Sequence, residues 1–394
     1  MAFDPRAATE AHMASLSSAE LELARDYTTG NHWLMLLGLI VSAVVTIIIV
    51  KSGILDKVAA KLERRGFALR TWVVAAVYLI VSTVIALPVS IYTDWWRETQ
   101  YDRTSQPIAD YLSQSAIGTA LSTVLGALFF LGVYWLIRKT GQLWWAWSGA
   151  LVAGAVSFML LLSPILIEPL FNDYKPIPEG EVRTAVLELA SEAGVPEDRV
   201  FMFDGSRQSN NFTANVSGVG NSARIAISDV ALGEASLDEV KAVTGHEIGH
   251  YMLGHVWRIV FVLSALAIAV FWLTSRSYGW FARAFGSDAA IDDPRGIPVL
   301  LFVIGLFSTL GSPVTNTLTR VGERESDQYS LDTVGLPDAL SEALVKTAEY
   351  RFPLAGPIEE TLFYTHPTVK NRVRSAMDWK AENLAAIESE SGAE

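Results

Sequence analysis

The sequence places two histidines and a glutamate in the segment His246-Glu247-Ile248-Gly249-His250. On a helix, residues four positions apart share one face, so both imidazoles can bind the same metal ion. Zinc favours imidazole nitrogen in four-coordinate sites, and Glu247 stands beside the first ligand, where it can take a proton from a metal-activated water. The pattern therefore predicts one Zn²⁺ per chain, with His246 and His250 as ligands and Glu247 as general base.

A third protein ligand must come from elsewhere, and cysteine is absent from the chain. On a continuous helix His255 lies about 140° around the axis from His250, so we expect it to line a cleft or an interface instead of binding metal. Glu323 and Asp327 form another pair spaced four apart, in which one carboxylate can bind the metal while the other orients an imidazole ligand. Charged pairs at this spacing are often solvated helix faces, so spacing alone leaves both roles open.

Local signals indicate which elements position these residues. Ser236 and Glu239 form a capping box, which predicts a helix that begins near Leu237. We expect this helix to continue unbroken into an apolar run that ends at residue 275. Upstream, residues 200–203 are predicted to form a strand, and residues 214–219 and 223–228 a hairpin around Gly220 and Asn221.

The composition indicates a membrane protein. Hydrophobic residues make up 51% of the 394-residue chain and charged residues only 18%, against roughly 25% charged residues in typical soluble proteins. Runs without Asp, Glu, Lys or Arg cover residues 28–50, 71–93, 111–137, 140–167, 259–275 and 296–319. All but the run at 259–275 exceed the roughly 20 residues that span a bilayer, and the preceding helix extends that run. The sequence therefore predicts six transmembrane helices, and its net charge of −12 argues against a nucleic-acid partner.

Three motifs, taken in order along the chain, resemble the type I CAAX prenyl endopeptidase family of membrane zinc metallopeptidases. They are His246-Glu247-x-x-His250, then Glu323-x-x-x-Asp327, then Tyr364-x-His366-Pro367-Thr368 with Arg372. Residues 164–171, 204–207 and 224–229 also resemble that family's linker and edge-strand segments. The resemblance covers roughly residues 81–377. The sequence resembles a bacterial member of the family.

The resemblance implies roles for these residues. It implies zinc ligation by His246, His250 and Glu323, with Glu247 as the base and Asp327 supporting a ligand from behind. It further implies that His366 and Arg372 face the cleft and contact the substrate backbone or the oxyanion. The chain departs from the family where Thr213-Ala214-Asn215 stands in place of Asn-Ala-Tyr, and where six membrane helices are predicted in place of the seven that enclose a chamber in eukaryotic members.

The predicted fold class is mainly α: a multi-span helical membrane protein with a small, gluzincin-like α+β zinc-peptidase domain. We expect a polar tail (1–32), a four-helix transmembrane region (33–168), and the zinc-peptidase domain with its hairpin and His246 helix (169–255). Two further transmembrane helices (256–319) and a C-terminal helical part that completes the active site (320–394) follow.

These patterns favour a membrane-embedded zinc metalloendopeptidase similar to the CAAX prenyl proteases, acting on a peptide or protein substrate that is lipidated or membrane-bound. Two alternatives stay open: a quality-control protease for membrane proteins without prenyl specificity, and a transporter or channel with a relict protease site. The expected location is the cell membrane of a bacterium. The distribution of Lys and Arg favours a zinc face outside, whereas the resemblance implies a cytoplasmic one, so the side stays open.

Overall fold

The computed structural model describes residues 3–218 and 223–391. The first seven α-helices are α1 (Pro5–Met13), α2 (Ser18–Ser52), α3 (Ile54–Lys61), α4 (Phe67–Ser90), α5 (Arg97–Gln100), α6 (Ile108–Thr140) and α7 (Trp144–Leu162). The strands are β1 (Tyr174–Pro176), β2 (Val200–Phe203), β3 (Ala214–Ser217) and β4 (Arg224–Ser228). The later helices are α8 (Glu181–Glu192), α9 (Asp229–Glu234), α10 (Leu237–Met252), α11 (His255–Phe285), α12 (Ile297–Val334), α13 (Pro337–Lys346), α14 (Pro357–Phe363) and α15 (Val369–Ser391).

Within the described residues, five helical stretches are long and apolar enough to cross a membrane. The third stretch, Ile108–Leu170, contains both α6 and α7, which are separated by a short 3₁₀ turn and pack against each other. The six apolar runs predicted from the sequence thus correspond to α2, α4, α6, α7, α11 and α12, and the runs at 71–93 and 140–167 continue past the ends of α4 and α7 into short π-helical segments. Large apolar side chains stand exposed on these helices, among them Phe261 at 75% and Trp33 at 66%, as expected for surfaces that face lipid.

The membrane helices share one apolar core. Its fully buried side chains include Tyr134 of α6, Val74 of α4, and Ile297 and Leu300 of α12. Helix α12 continues from this core through Val334 without interruption, although Pro313 lies inside it. It therefore carries the chain from the membrane region directly into the part that holds Glu323, across the boundary that the sequence analysis drew at residue 319. That division stays a prediction.

A small mixed sheet has the strand order β1-β2-β4-β3. Strand β2 pairs in parallel with β4, while β1 with β2 and β3 with β4 are antiparallel pairs. The predicted strand and both arms of the predicted hairpin are confirmed, and the predicted turn around Gly220 and Asn221 lies outside the described residues. Strand β1 was not predicted from the sequence. Within the described chain, β3 lies at one edge of this sheet.

The expected continuous helix from Leu237 to residue 275 is wrong. Helix α10 ends at Met252, and Gly254 adopts the left-handed conformation with φ +66° before α11 begins at His255. A residue with a Cβ atom rarely takes this conformation, whereas glycine does so without steric cost. The break lets the start of α11 fold back toward the His246 helix.

The N-terminal segment that was predicted as a tail is largely helical and packed. Helix α1 lies against α15, with Met13 in a buried cluster that includes Val373 and Met377. Lys370 Nζ donates a hydrogen bond to Glu10 Oε1 at 2.8 Å across this contact. Helices α1 and α15 therefore pack together beside α13.

Candidate metal centre and active site

Helix α10 presents both histidines of the motif on one face. The capping box predicted at its start is present: Glu239 N–H donates to Ser236 Oγ at 3.3 Å, and Ser236 N–H donates to Glu239 Oε2 at 2.7 Å. With the helix start fixed in this way, His246 and His250 lie one turn apart. Their Nε2 atoms are 3.2 Å from each other and their rings are inclined by 79°.

Glycines let α12 approach α10 closely. A Cβ atom built at Gly249 would lie 3.1 Å from Ser326 Cα, inside the 3.5–4.0 Å separation typical of carbon atoms in contact, about 0.5 Å too close. Gly245, one turn earlier, would place a Cβ atom 2.5 Å from a Val334 methyl group. This contact brings the Glu323 carboxylate to the two imidazoles.

Donor atoms of three residues converge between these helices. Glu323 Oε2 lies 3.4 Å from His246 Nε2, and Glu323 Oε1 lies 3.4 Å from His250 Nε2. A tetrahedral site with metal–ligand distances of about 2.0–2.1 Å has donor–donor edges of about 3.3–3.4 Å. Glu323 Oε2 is buried and accepts no hydrogen bond from any described residue. The donor types and their spacing therefore fit a metal ion held by His246, His250 and Glu323.

Asp327 and Arg372 lie behind His246. Asp327 Oδ1 is 2.9 Å from His246 Nδ1, and the buried Arg372 guanidinium donates to both Asp327 oxygens, from Nε at 2.7 Å and from Nη2 at 2.6 Å. Although burial works against the charged form, the Asp327 carboxylate holds the pKa of Arg372 above its usual range. A carboxylate that accepts the Nδ1 proton leaves the Nε2 lone pair of His246 directed at the metal position.

His366 borders the same site from the segment before α15. Its Nε2 lies 3.2 Å from Glu323 Oε2, and its Nδ1 lies 2.9 Å from Thr365 Oγ1. Burial, and then the charge of Arg351, lower the pKa of His366 to about 3. The ring is therefore neutral near pH 7 and has one N–H to donate.

Glu247 is half-buried and has no hydrogen bond or salt bridge to the residues that the structure describes. Burial raises the pKa of its carboxyl group above the usual range, although the neighbouring histidines act in the opposite direction. A carboxylate that is poorly solvated and not engaged by another side chain is suited to accept a proton.

Two residues beside His250, Glu325 and Arg258, were not predicted from the sequence, whereas His255 was expected to line a cleft or an interface. His255 Nδ1 lies 2.8 Å from His250 Nδ1, His255 Nε2 lies 2.9 Å from Glu325 Oε2, and Arg258 Nη1 donates to that same oxygen at 2.6 Å. On an unbroken helix His255 would lie on a different face from His250, but the turn at Gly254 places the two imidazoles in contact. Glycine two residues after a helical segment is itself a helix-end signal, and it was available in the sequence.

The outer edge of β3 lies beside α10. Ser228 N–H donates to the Thr213 carbonyl at 2.9 Å. Because hydrogen-bonded and non-hydrogen-bonded pairs alternate in an antiparallel ladder, Asn215 pairs through hydrogen bonds with β4, whereas the main-chain groups of Ala214 and Val216 point away from it. Those outward groups are available to an extended peptide.

Two family matches cover nearly the whole chain. Residues 176–380 match Peptidase family M48, and residues 5–173 match the region described as CAAX prenyl protease N-terminal, five membrane helices. The first match alone covers more than half of the sequence. The chain belongs to peptidase family M48.

Relatives of this M48 peptidase occur in bacteria and eukaryotes. It is 26% identical over 381 residues to the uncharacterized metalloprotease YhfN of Bacillus subtilis, covering 93% of this chain and 88% of that protein. It is 29% identical over 305 residues to the CAAX prenyl protease 1 homolog of Arabidopsis thaliana, covering 75% of this chain and 70% of that protein. The crystal structure of S. mikatae Ste24p has the same fold, with a TM-score of 0.74 at 19% identity over 92% of this chain and 90% of that one.

Membership of this family makes the protein a membrane-embedded metalloendopeptidase. Its substrates are therefore peptides or proteins, it depends on a metal ion, and its apolar helices sit in a lipid environment. The interpretation of the sequence as a protease is confirmed, and the alternative of a transporter or channel with a relict site is not needed.

Proposed function

We propose that this M48 peptidase binds one Zn²⁺ through His246 Nε2, His250 Nε2 and a Glu323 carboxylate oxygen. The observation that carries this proposal is that the two Nε2 atoms lie 3.2 Å apart and that each lies 3.4 Å from one oxygen of the Glu323 carboxylate, which suits coordination by nitrogen and oxygen. A bound zinc ion supplies Lewis acidity, which lowers the pKa of the attacking water and polarises the scissile carbonyl.

Each neighbouring side chain then has one task in peptide-bond hydrolysis. Glu247 accepts the proton of the attacking water as the new C–O bond forms, and it returns that proton to the leaving amine as the C–N bond breaks. His366, neutral at working pH, donates its N–H to the oxyanion that develops on the former carbonyl. Asp327 holds the His246 tautomer, and Arg372 holds Asp327 while its Nη2 adds positive charge 3.7 Å from Glu323 Oε2.

The substrate we favour is a lipidated peptide or membrane protein, cut at the boundary of a bacterial cell membrane. Support comes from the names of the eukaryotic relatives, which are CAAX prenyl proteases. An apolar cavity of about 120 Å³ also adjoins His250 between α11 and α12, lined by Ile259, Val262, Leu263 and Leu318. A quality-control protease would accept apolar peptides without any prenyl group. Cleavage rates on peptides with and without the lipid therefore distinguish prenyl-specific processing from quality control.

The test uses the full-length chain purified in detergent. We expect about one zinc per chain and cleavage of farnesylated peptides at least tenfold faster than of the same peptides without the lipid. Equal rates on both would contradict the prenyl specificity and favour quality control. Glu247→Gln should keep its zinc and lose hydrolysis by 10² or more, whereas the control Glu188→Gln, on the exposed face of α8, should be unaffected. A Glu247→Gln enzyme within tenfold of wild type would overturn the assignment of the base.

A further inference from the structure

The two candidate histidine ligands have different hydrogen-bond partners at Nδ1, the ring nitrogen that faces away from the metal position. His246 Nδ1 meets a carboxylate directly, at Asp327. His250 Nδ1 meets another imidazole, His255 Nδ1, at 2.8 Å, and the carboxylate of Glu325 comes only after it. His255 is 4% exposed, so the contact is made inside the protein.

Only one placement of the protons on His250 and His255, in contact with Glu325, leaves His250 able to bind a metal. The Glu325 carboxylate can only accept a hydrogen bond, so His255 Nε2 carries a proton. In a neutral imidazole the other nitrogen is then an acceptor, and His255 Nδ1 accepts the proton of His250 Nδ1. This leaves the lone pair of His250 Nε2 directed at His246 and Glu323. A doubly protonated His255 would instead force the proton of His250 onto Nε2 and block metal binding.

The surroundings hold this arrangement in place. Arg258 Nη1 donates to Glu325 Oε2 at 2.6 Å and fixes the carboxylate. Gly322 of α12 faces the His255 ring, where a Cβ atom would lie 3.4 Å from Nδ1. The adjoining cavity is almost entirely apolar, so water is a poor replacement partner for the His250 Nδ1 proton if His255 is removed.

We propose that His255 and Glu325 are positioning residues that hold His250 in its metal-binding tautomer and thereby set the zinc affinity of the site. This inference rests on the proposed zinc ligation by His250. Neither residue touches the metal position. Each acts through the ring of His250, as the outer partners of metal-bound histidines do in other proteins.

Zinc affinity, measured by competition with a chromophoric chelator on the full-length purified chain, tests the proposal without any need for activity. His255→Leu and Glu325→Leu should each weaken zinc binding 10- to 100-fold. His255→Gln should recover most of the affinity, because its amide oxygen can accept from His250 while its amide nitrogen donates to Glu325. Arg324→Gln, one position from Glu325 and 61% exposed, is the matched control and should bind zinc as the wild type does. Cobalt substitution adds a spectroscopic signature, since His255→Leu should shift the visible absorption bands of bound Co²⁺.

The possible outcomes separate this inference from the proposed function. A wild-type chain that binds no zinc would overturn the proposed ligation, and with it the positioning role of His255 and Glu325. If the wild type binds zinc tightly and the zinc affinities of His255→Leu and Glu325→Leu are both within threefold of it, the positioning role is overturned and the proposed ligation stays intact. If His255→Leu fails to fold, Glu325→Leu decides alone, because that carboxylate is 41% exposed and its removal leaves the core unchanged.

Discussion

A proline at Val216 tests whether substrate adds as a strand to the open edge of β3. The Val216 N–H points away from β4, so proline there removes a main-chain donor that only an added peptide would use. Strand addition of this kind binds a peptide through main-chain hydrogen bonds. The β3–β4 hydrogen bonds of Asn215 stay intact.

The expected size of the effect follows from the loss of one hydrogen bond. A net contribution of about 0.5–1.5 kcal/mol per bond corresponds to a roughly 2- to 13-fold fall in kcat/KM. The Val216 side chain packs against the buried cluster of the small sheet, and its loss costs some stability independently of the N–H. Val216→Ala keeps the N–H and removes the same side chain, so the comparison between these two variants isolates the donor.

The assay is hydrolysis of a fluorogenic peptide, with zinc content and Tm measured on each variant. Val216→Pro should turn over peptide more slowly than Val216→Ala while both retain zinc. Asn215→Pro should instead lower Tm, because it breaks a bond within the sheet. Equal kcat/KM for Val216→Pro and Val216→Ala would refute strand addition at this edge.

Three further outcomes are expected. His366→Ala should lower kcat by about 10²–10³ with little change in zinc content, as loss of an oxyanion donor does; a change in KM alone would assign it to substrate binding. Zinc affinity should rise with pH, by up to about tenfold per pH unit, and level off near pH 9. Burial lowers the pKa of His246, but the hydrogen bond to Asp327 and the nearby Glu323 carboxylate outweigh that effect and raise the pKa to about 9 in the metal-free site, so below that pH zinc must displace a proton. Titration of zinc affinity against pH checks this, and a flat profile would contradict it. Ser236→Ala should reduce the free energy of unfolding by about 1 kcal/mol through loss of the α10 cap, seen as a lower Tm at unchanged zinc stoichiometry.

Local patterns in the sequence were sufficient to predict many of the helices and strands. The capping box at Ser236 located the start of α10, and runs without charged residues located the membrane helices, because both signals depend on neighbouring residues alone. Strand β1 was missed since three residues, Tyr174–Pro176, are too few to show an alternating pattern. The break at Gly254 was missed because apolar residues continue beyond it and suggested a single long helix.

The candidate metal centre depends on packing between α10 and α12, which no local pattern describes. The motif predicted His246 and His250 as one pair and Glu323 and Asp327 as another, but only the close contact at Gly249 brings the two pairs together. Glu325 lay within the same charged segment and carried no signal of its own. Its contact with His255 depends on the turn that precedes His255, 70 residues earlier in the chain.

The contact between α1 and α15 has a consequence for biosynthesis. Met13 is translated well before its packing partners Val373 and Met377, by a delay on the order of tens of seconds at about 5–20 residues per second. Arg372 arrives in the same late segment, so Asp327 lacks its guanidinium until then. A nascent chain whose membrane helices have already inserted into the bilayer therefore lacks the Arg372–Asp327 contact behind His246, and we expect the protease to become active only after α15 has been translated.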